Sequence, residues 1–442
     1  MKTFKIGGVH PNENKASANQ PIEVVPVSKI VFIPVSQHLG NPAKPQVEKG
    51  DIVKTGQLIA KGDGFISANV HSSVSGKVLK VEEVIDYCGI RRQSIVIETT
   101  EDVWEESIDK SAQIITECTL TSEAIIEKIN ENGIVGLGGA TFPSYVKYKI
   151  PEGKKPEFLI INGVECEPYL TADHRLMLEK SREIMVGITI LMKGLKVNKA
   201  MIGIENNKPD AIAKLSSLTS EFPGITVHAL KVKYPQGAEK QLIKALVNRE
   251  VPSGKLPMEV GCVVQNVGTA FAVYEAIQKN KPLFERVVTV SGKLLSKPSN
   301  LLARVGTPIT DLIEMAGGIP EDTGKIIIGG PMMGRAASII EAPITKATSG
   351  ILVMTTKESK RITPVSCIRC GKCITVCPMG LEPYLLAKLS EAQMWEEAED
   401  DRIMDCMECG SCQFTCPSAR PLVDYMRVGK NKVGQIIRNR KN

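Results

Sequence analysis

The spacing of apolar residues along the chain predicts three kinds of folded region. Over residues 30–98, short apolar runs alternate with Gly and Pro turns, which predicts a small β-sandwich or barrel. Further on, apolar runs at 158–161, 200–204, 225–229 and 261–264 alternate with helical stretches, which predicts a layered α/β domain. Over residues 287–340, the pattern predicts a strand, a turn, a strand and a helix from Pro308 that closes at Gly317-Gly318. The chain is therefore expected to be a multidomain α/β and α+β protein.

The first β region is similar to the barrel-sandwich domains that carry biotinyl and lipoyl groups. Those carriers present a modifiable lysine at a hairpin tip, whereas the corresponding turn here is Val70-His71-Ser72-Ser73. We therefore expect a docking module without a swinging arm, with His71 as a surface turn residue. The strand–helix region at 287–340 contains no residue that demands a chemical role, so we interpret it as a spacer.

A glycine-rich stretch, GIVGLGGATFPSYVKYKI at residues 133–150, follows a helix predicted over residues 122–132. Gly136, Gly138 and Gly139 lack a Cβ, so their backbone amides are able to approach a flat ring or a phosphate closely. Lys147 is placed to add a positive charge. These features are typical of a cofactor-binding turn.

Three later stretches place polar residues directly after predicted strands or at the start of predicted helices. NGVECEPYLTADHR (162–175) follows the first strand of the α/β region. KVKYPQGAEKQLI (231–243) puts Gly237 and Glu239 at a helix start, where the amino terminus attracts anionic groups. QNVGTAFAVYEAI (265–277) supplies Asn266 and Thr269 just before another helix. All three are candidate ligand-binding segments.

Eight of the twelve cysteines repeat one spacing, C-x2-C-x2-C-x3-C-P, over residues 367–378 and 406–417. In this spacing three thiolates hold one iron–sulfur cube, while the fourth cysteine ligates the other cube. We therefore predict two [4Fe–4S] clusters with crossed ligands. The first is held by Cys367, Cys370, Cys373 and Cys416, and the second by Cys406, Cys409, Cys412 and Cys377.

Zinc sites and disulfides are the alternatives for these cysteines. Zinc sites favour cysteine pairs separated by a dozen or more residues, often with His, and the repeats contain no His. Disulfides need an oxidising compartment, and we expect no secretory signal at the amino terminus. The scattered Cys88, Cys118, Cys166 and Cys262 are expected to be buried small apolar residues.

Composition limits the remaining possibilities. A chain of 442 residues is expected to form three or four domains. Its longest apolar run, at 184–195, is shorter than the roughly 18 residues of a membrane span, so we predict no transmembrane helix. The net charge of +6 is too small to indicate a nucleic-acid partner. Part of it lies in a tail that is either solvated or placed against acidic lipid or protein, namely Arg427, Lys430, Lys432, Arg438, Arg440 and Lys441.

The segments GLGGATFP, NGVECEP, YPQGAEKQ and NVGT, in this order, resemble the FMN- and NADH-binding fold of the flavoprotein subunit of complex I. The whole chain, including GGPMMG at 329–334, is still more similar to the C subunit family of the Rnf complex. That resemblance implies five units. They are a barrel-sandwich hybrid domain (1–100), an FMN/NADH-binding α/β domain (115–285), a soluble-ligand-binding β-grasp domain (286–345), a helical ferredoxin-like dicluster domain (360–425) and a basic tail (426–442).

The resemblance also implies roles for individual residues. The positions that match those holding FMN are Gly136, Gly138, Lys147, Asn162, Glu165, Asn266 and Thr269. The positions that match those at the nicotinamide nucleotide are Gly139, Phe142, Glu167, Gly237 and Glu239. Three residues depart from the complex I pattern, because Leu137 replaces a basic residue, Val164 an acid and Ala238 a glutamate.

The implied function is electron transfer between NAD(H) and two [4Fe–4S] clusters through noncovalent FMN, since a flavin exchanges electron pairs while each cube carries one electron. The chain would be the peripheral, cytoplasmic-side subunit of an ion-translocating ferredoxin:NAD oxidoreductase in the cell membrane. Its partners would be NADH, other subunits and, through them, ferredoxin. The alternatives are a soluble flavin/iron–sulfur reductase that serves a corrinoid or amino-acid reductase, and a non-enzymatic relay subunit without nucleotide binding.

Overall fold

The amino-terminal segment of the computed structural model, which describes residues 1–440, runs across other parts of the molecule before it enters the first β unit. Lys2 and Val9 form isolated β-bridges with Leu230 and Tyr234. Strand β1 (Ile22–Val24) then pairs in parallel with a strand of the third unit. Residues 1–27, which the predicted 1–100 unit includes, therefore lie against residues that come much later in the chain. Lys441, predicted as part of the basic tail, lies outside the described residues.

The first unit is built from two small antiparallel sheets, as its alternating apolar pattern predicted. One sheet has the order β2-β8-β7-β4 and the other β3-β5-β6. The strands are β2 (Ile30–Pro34), β3 (Lys44–Pro45), β4 (Ile52–Val53), β5 (Leu58–Lys61), β6 (Val70–His71), β7 (Gly76–Ile85) and β8 (Arg91–Thr99). Their inward-facing β-branched side chains, such as Val31, Ile33, Ile59 and Ile97, form a core of their own.

The prediction that His71 is a surface turn residue is wrong. His71 belongs to β6 and is buried. Burial, together with the nearby Lys346 ammonium, lowers the pKa of His71 to about 3, so the imidazole is neutral. The adjoining Ser73 hydroxyl donates a hydrogen bond to the Val305 carbonyl at 2.5 Å. This turn is therefore packed against the third unit.

The second unit is a layered α/β domain with a four-stranded, fully parallel sheet in the order β11-β10-β9-β12. Its strands are β9 (Phe158–Asn162), β10 (Ala200–Glu205), β11 (Ile225–Leu230) and β12 (Cys262–Asn266), each within two residues of the predicted bounds. Its helices are α1 (Ser122–Glu131), α2 (Ala172–Glu179), α3 (Ser181–Leu195), α4 (Pro209–Leu218), α5 (Glu239–Val247) and α6 (Val267–Gln278), with 3-10 turns at Ser144–Tyr148 and Pro257–Val260. Helix α1 ends at Glu131, before the left-handed Gly133, as predicted.

The third unit is a mixed six-stranded sheet with the order β1-β14-β13-β17-β15-β16. Its elements are β13 (Glu285–Ser291), β14 (Ser299–Arg304), α7 (Ile309–Met315), β15 (Thr323–Ile328), β16 (Arg335–Ala336), β17 (Gly350–Thr355) and α8 (Thr356–Ser359). Helix α7 starts after Pro308 and ends before Gly317-Gly318, which confirms the predicted helix.

The carboxy-terminal unit is helical and contains the eight repeated cysteines. Its elements are α9 (Lys372–Thr375), α10 (Pro383–Glu391), α11 (Trp395–Asp400), a 3-10 turn (Ile403–Asp405), α12 (Ser411–Phe414) and α13 (Leu422–Asn439). Leu381, Leu386 and Leu389 pack beside Cys377, with Leu385 and Cys406 at the margin of the same core. These leucines therefore form the core against which Cys377 lies.

The predicted boundary between the dicluster unit and the basic tail, at residue 426, falls inside α13. Met426 and Val433 are buried on one face of this helix. On another face, Lys430 Nζ lies 2.8 Å from a carboxylate oxygen of Glu408, which joins the tail to the second cysteine repeat. Most of the tail therefore belongs to the fold of the cysteine unit.

Candidate functional site

Two asparagines end the adjacent parallel strands β9 and β12 at the same edge of the sheet. Asn162 and Asn266 are direct partners in the strand register. The chain passes from β9 outward through β10 to β11 and then returns to the opposite side of β9 for β12. The strand order therefore reverses between β9 and β12, and open α/β sheets bind ligands in the crevice at such a reversal.

The glycine-rich turn at residues 136–140 lies against the amino terminus of α6, beside this crevice. The Gly136 amide donates to the Phe142 carbonyl at 2.9 Å, and the Leu137 amide donates to the Thr269 hydroxyl at 3.0 Å. A Cβ on Gly138 would lie 3.0 Å from the Asn266 Cβ, whereas a Cβ on Gly139 would meet open space. The turn therefore packs tightly at Gly138 and is open at Gly139.

Asn266 connects the turn, the helix and the acidic side chain of Asp173, which belongs to the NGVECEPYLTADHR segment. Its side-chain oxygen accepts from the Gly268 amide at 2.8 Å and so caps α6. Its amide nitrogen donates to Asp173 at 2.6 Å. Burial and the neighbouring Glu165 raise the pKa of Asp173 to about 7. Asp173 is therefore a polar component of the site that titrates near neutral pH.

Two buried cations fix the turn from outside the α/β domain. Arg286, on β13, donates to the Leu137 carbonyl at 3.4 Å, and burial lowers its pKa to about 10. Lys346 donates to the Gly133 carbonyl at 2.8 Å and to the Asn69 carbonyl at 3.0 Å, and burial lowers its pKa to about 7. The interpretation of the third unit as a simple spacer is therefore incomplete, because Arg286 supports the glycine turn.

Lys147, Gly237 and Glu239 come together at the same edge of the sheet. The Lys147 ammonium donates to the Val264 carbonyl at 2.8 Å and lies 3.4 Å from a carboxylate oxygen of Glu239. The Asn162 amide donates to the Gly237 carbonyl at 2.8 Å. Glu239 begins α5, and its side chain is 42% exposed. It is therefore accessible to a ligand, while Lys147 is more sheltered.

Glu165 and Glu167 make structural contacts that the sequence did not predict. The Glu165 carboxylate accepts from the amides of Asp173 at 2.8 Å and His174 at 3.1 Å, at the start of α2. The Glu167 carboxylate accepts from the amides of Met332 at 3.1 Å and Met333 at 2.8 Å, within GGPMMG. Both carboxylates therefore position loops around the site.

Lys15 is the main residue of the site region that sequence reasoning missed. This half-buried side chain donates to the carbonyls of Glu165 at 2.9 Å, Glu167 at 2.8 Å and Leu170 at 2.6 Å. Burial lowers the pKa of Lys15. From the other side, Lys208 donates to the Val164 carbonyl at 2.8 Å. Two lysines therefore hold the NGVECEP loop in place.

Four thiols line a cavity in the carboxy-terminal unit. Cys377, Cys406, Cys409 and Cys412 line one small cavity together with apolar side chains such as those of Leu381 and Met426. Burial raises the pKa of the Cys406 thiol to about 11 and that of Cys412 still further. Within residues 1–440, no three His, Cys, Asp or Glu side chains converge as the ligands of one metal ion would. The thiols instead line the walls of the cavity.

The other four repeated cysteines lie nearer the surface. The Val365 amide donates to the Ser418 carbonyl at 3.1 Å, which draws the segment before Cys367 towards the segment after Cys416. Cys373 and Cys416 pack against the same small core, and Cys370 is exposed. Cys416 therefore lies beside the first triplet, as Cys377 lies beside the second.

Among the single cysteines, Cys262 is buried, as predicted, while Cys88, Cys118 and Cys166 are only partly buried. Cys166 packs with Tyr234 and Cys409 at the contact between the α/β domain and the cysteine unit. Burial raises the pKa of the Cys166 thiol to about 12, so it is protonated at neutral pH.

The contact between the crevice region and the thiol-lined cavity is direct. The Tyr234 hydroxyl donates to the Cys409 carbonyl at 2.7 Å, and both residues are buried. The Met332 carbonyl lies close enough to Gly410 that a Cβ there would approach it to 2.8 Å. The cavity formed with Cys377 is therefore the one that faces the α/β domain.

Comparison with known proteins places this architecture in a family. The chain is 48% identical, over 98% of its own length and 94% of the other protein's, to the C subunit of the proton-translocating ferredoxin:NAD(+) oxidoreductase complex of Clostridium ljungdahlii. It belongs to the Rnf C subunit family. The chain is also 45% identical to the C subunit of the Na(+)-translocating ferredoxin:NAD(+) oxidoreductase complex of Acetobacterium woodii, over 98% of this chain and 97% of that protein. It is 39% identical to its counterpart in the ion-translocating oxidoreductase complex of Rhodobacter capsulatus, over 98% of this chain and 84% of that protein.

Four family models match the Rnf C subunit in succession. They are the RnfC barrel sandwich hybrid domain at residues 2–102, the Nuo51 FMN-binding domain at 129–275, the SLBB domain at 287–336 and a 4Fe-4S dicluster domain at 359–417. The fold is also similar to a chain in the crystal structure of air-oxidized NAD+-reducing [NiFe]-hydrogenase, with a TM-score of 0.52 and 17% identity over 71% of this chain and 63% of that one. The Rnf C subunit is thus an electron-transfer subunit of an oxidoreductase, with an FMN-binding and a 4Fe-4S dicluster domain.

The residues that the structure describes include no helix with the length and apolar content that crossing a membrane requires.

Proposed function

We propose that this Rnf C subunit passes electrons between NAD(H), one noncovalent FMN and two [4Fe–4S] clusters. It does so as a peripheral subunit, on the cytoplasmic side, of an ion-translocating ferredoxin:NAD oxidoreductase in the cell membrane. The names of the relatives from Clostridium ljungdahlii and Acetobacterium woodii support the overall reaction and the multisubunit setting. NADH and the other subunits would be its direct partners, and ferredoxin an indirect one.

FMN would be held in the crevice between β9 and β12. The proposed contacts are Gly136, Gly138, Lys147, Asn162, Asn266 and Thr269, with Glu165 positioning the neighbouring loop. The fit rests on the strand-order reversal at this edge and on the glycine turn that lies against the capped amino terminus of α6. Lys147 supplies a cation within the same edge.

The nicotinamide nucleotide would lie on the open side of the turn. The proposed contacts are Gly139, Phe142, Gly237 and Glu239, with Glu167 anchoring the GGPMMG loop beside them. The open space at Gly139 and the exposed Glu239 carboxylate support this placement. A carboxylate at this position is able to accept hydrogen bonds from ribose hydroxyls.

The two clusters would be ligated in crossed fashion. Cys377 shares the cavity of Cys406, Cys409 and Cys412, which supports its assignment to the second cluster. Hereafter this set is the inner cluster site. The outer cluster site comprises Cys367, Cys370, Cys373 and Cys416. Its assignment is supported by the Val365–Ser418 hydrogen bond and by the shared packing of Cys373 and Cys416.

One observation carries the proposed function, namely the hydrogen bond from Tyr234 to the Cys409 carbonyl. When bound, the flavin would convert electron pairs into single electrons and each cube would carry one electron at a time. Tyr234 holds a ligand loop of the inner site against the flavin-type domain. Cys166 and Met332 pack around this contact, so apolar groups surround it. The inner site would therefore exchange electrons with the flavin domain, and the outer site with a partner.

The decisive experiment is an anaerobic NADH titration of the purified, reconstituted chain, in which flavin and cluster absorbance are followed together. NADH is expected to bleach both chromophores. Glu239→Gln should raise the NADH concentration needed for half-bleaching, while Glu131→Gln, an exposed change at the end of α1, should not. If flavin is bound but only dithionite bleaches it and the clusters, the nucleotide half of the proposal is wrong and the relay function is favoured.

A further inference from the structure

The two cysteine repeats have the same sequence spacing but different surroundings. In the second repeat, Met407 packs with Tyr234 and Met332 against the α/β domain. The next residue, Glu408, lies 2.8 Å from the Lys430 ammonium and 3.3 Å from the Arg427 guanidinium. Ser411 is fully buried. The positions between the ligands of this repeat are therefore covered by the protein itself.

The equivalent positions of the first repeat are uncovered. Ile368 corresponds to Met407 and is 67% exposed, and Arg369 and Lys372 correspond to Glu408 and Ser411 and are also exposed. The backbone is alike in both repeats, because Arg369 and Glu408 share a left-handed conformation with φ of 54° and 59°. The difference therefore lies in the side chains and in what covers them.

The exposed character extends through the outer segment, defined as residues 360–374. Ile362 and Val365 are 76% and 60% exposed, although both are large apolar residues. The segment contains four cationic residues and no Asp or Glu. Of these cations, Arg361 lies 3.5 Å from Asp424, while within residues 1–440 Arg369 and Lys372 form no ion pair. An apolar, cationic surface thus adjoins three ligands of the outer cluster site.

We propose that the outer segment is the docking surface for a second redox protein, whose one-electron centre lies beneath an acidic surface with an apolar middle. The inference rests on the proposed function, because it needs a cluster held by Cys367, Cys370, Cys373 and Cys416. The second repeat provides the comparison. Its equivalent positions are covered by contacts with the flavin-type domain, which would exchange electrons with the inner cluster site.

Charge and position identify the kind of partner. Exposed apolar residues grouped on one surface mark interaction sites, and cationic side chains around them select a partner of opposite charge. Electrostatic steering raises association rates by about 10 to 1,000-fold, which suits brief electron-transfer encounters through small interfaces. Ile368, Arg369 and Lys372 lie between cluster ligands, so a partner bound there would approach the outer cluster closely. Closeness to a cluster serves electron transfer but has no role in a contact with lipid, so this position favours a redox protein as the partner.

The test uses the full reconstituted chain, reduced with dithionite and then freed of excess dithionite by desalting, and an oxidised acidic bacterial ferredoxin as the probe acceptor in anaerobic stopped-flow measurements. Arg369→Glu/Lys372→Glu should lower the second-order rate constant about tenfold or more at low ionic strength. The difference should vanish in 1 M salt, where the Debye length is about 3 Å. Lys214→Glu/Lys388→Glu, at exposed lysines of α4 and α10, changes the net charge by the same amount and is the matched control, which should leave the rate within about twofold. Ile368→Ser should lower the rate at every salt concentration.

Iron content and bleaching by dithionite show whether each variant retains both clusters. Bleaching of the chain by NADH, measured without ferredoxin, tests the proposed function separately. A wild-type transfer rate in the charge-reversed variant, with both clusters intact, would overturn the docking proposal and leave the proposed function standing. Failure of NADH bleaching would remove the proposed function, while the dithionite-driven transfer would still test docking. If the variant instead loses binding to phosphatidylglycerol-containing vesicles and keeps its transfer rate, the outer segment is a membrane contact.

Discussion

Crossed ligation, in which the fourth cysteine of each repeat ligates the other cluster, is tested more sharply by double substitutions than by single ones. Cys370→Ala/Cys416→Ala removes two ligands from the outer cluster site and none from the inner one. Cys370→Ala/Cys377→Ala removes one ligand from each site, because Cys377 lines the inner cavity with Cys406 and its neighbours. The two double variants differ only in which fourth cysteine is lost. If the ligands were uncrossed, their consequences would be exchanged.

The expected number of irons per chain follows from the number of cysteine ligands that each cluster site keeps. Each [4Fe–4S] cube needs four thiolates, so the intact chain should hold about eight irons. Cys370→Ala/Cys416→Ala should keep one complete cube and about four irons, with the spectrum of a [4Fe–4S] cluster. Cys370→Ala/Cys377→Ala should leave neither site with four thiolates and should lose that spectrum. Cys88→Ala, at a partly buried cysteine outside the repeats, should keep about eight irons.

The assay is iron and sulfide analysis of anaerobically reconstituted protein, with low-temperature electron paramagnetic resonance of the dithionite-reduced samples. The remaining cube of Cys370→Ala/Cys416→Ala should still be reduced by NADH, because the inner site adjoins the flavin-type domain through Tyr234. A complete cube in Cys370→Ala/Cys377→Ala, together with its absence in the other double variant, would refute crossed ligation.

Three further predictions concern the contacts that hold the sites together. Lys15→Met leaves three backbone carbonyls unpaired, so it should lower the free energy of unfolding by about 3–5 kcal/mol and weaken FMN binding. Denaturant unfolding measures the first effect and flavin fluorescence the second. Lys44→Met, at an exposed position, should change neither. Tyr234→Phe removes the donor to the buried Cys409 carbonyl and should lower the free energy of unfolding by about 1–3 kcal/mol. The variant should lose its clusters at a lower denaturant concentration than the wild type, while its iron content without denaturant stays unchanged. Burial raises the pKa of Glu167 from 4.5 to about 7, so the native state retains a proton that the unfolded state releases, and stability should fall as pH rises through this window. Glu167→Gln should flatten the fall by about 2 kcal/mol between pH 5 and pH 7.5 in apo-protein unfolding, and an unchanged slope would contradict the assignment.

Features encoded in local spacing could be predicted from the sequence. The cysteine repeats are recognisable because cluster ligands recur at fixed short intervals, and the strands of the α/β domain because buried parallel strands are apolar runs. Asn162 and Asn266 could be selected because each ends such a run directly before a turn or helix. Their register as immediate neighbours on β9 and β12 required the structure.

Contacts between distant residues could not be predicted in this way. Lys15 stands in the polar stretch NENKAS, which is indistinguishable from a solvated loop, yet its partners are 150 or more residues away. Arg286 lies on β13 of the third unit and supports a turn in the second. His71 was wrongly expected at the surface because polar turns are commonly solvated. Here Ser72 and Ser73 donate hydrogen bonds to backbone carbonyls, which permits burial of the turn.

The amino-terminal segment has a consequence for biosynthesis. The Gly8 amide donates to the Val376 carbonyl at 2.9 Å, so a segment that leaves the ribosome early binds a region that is made late. Phe4 and Val9 are buried in the finished molecule, and Val9 packs beside Tyr234 and Cys409. A nascent or truncated chain cannot complete this packing, and exposed apolar segments attract chaperones and proteases. Packing of the amino-terminal segment must therefore wait until the cysteine unit has been synthesised.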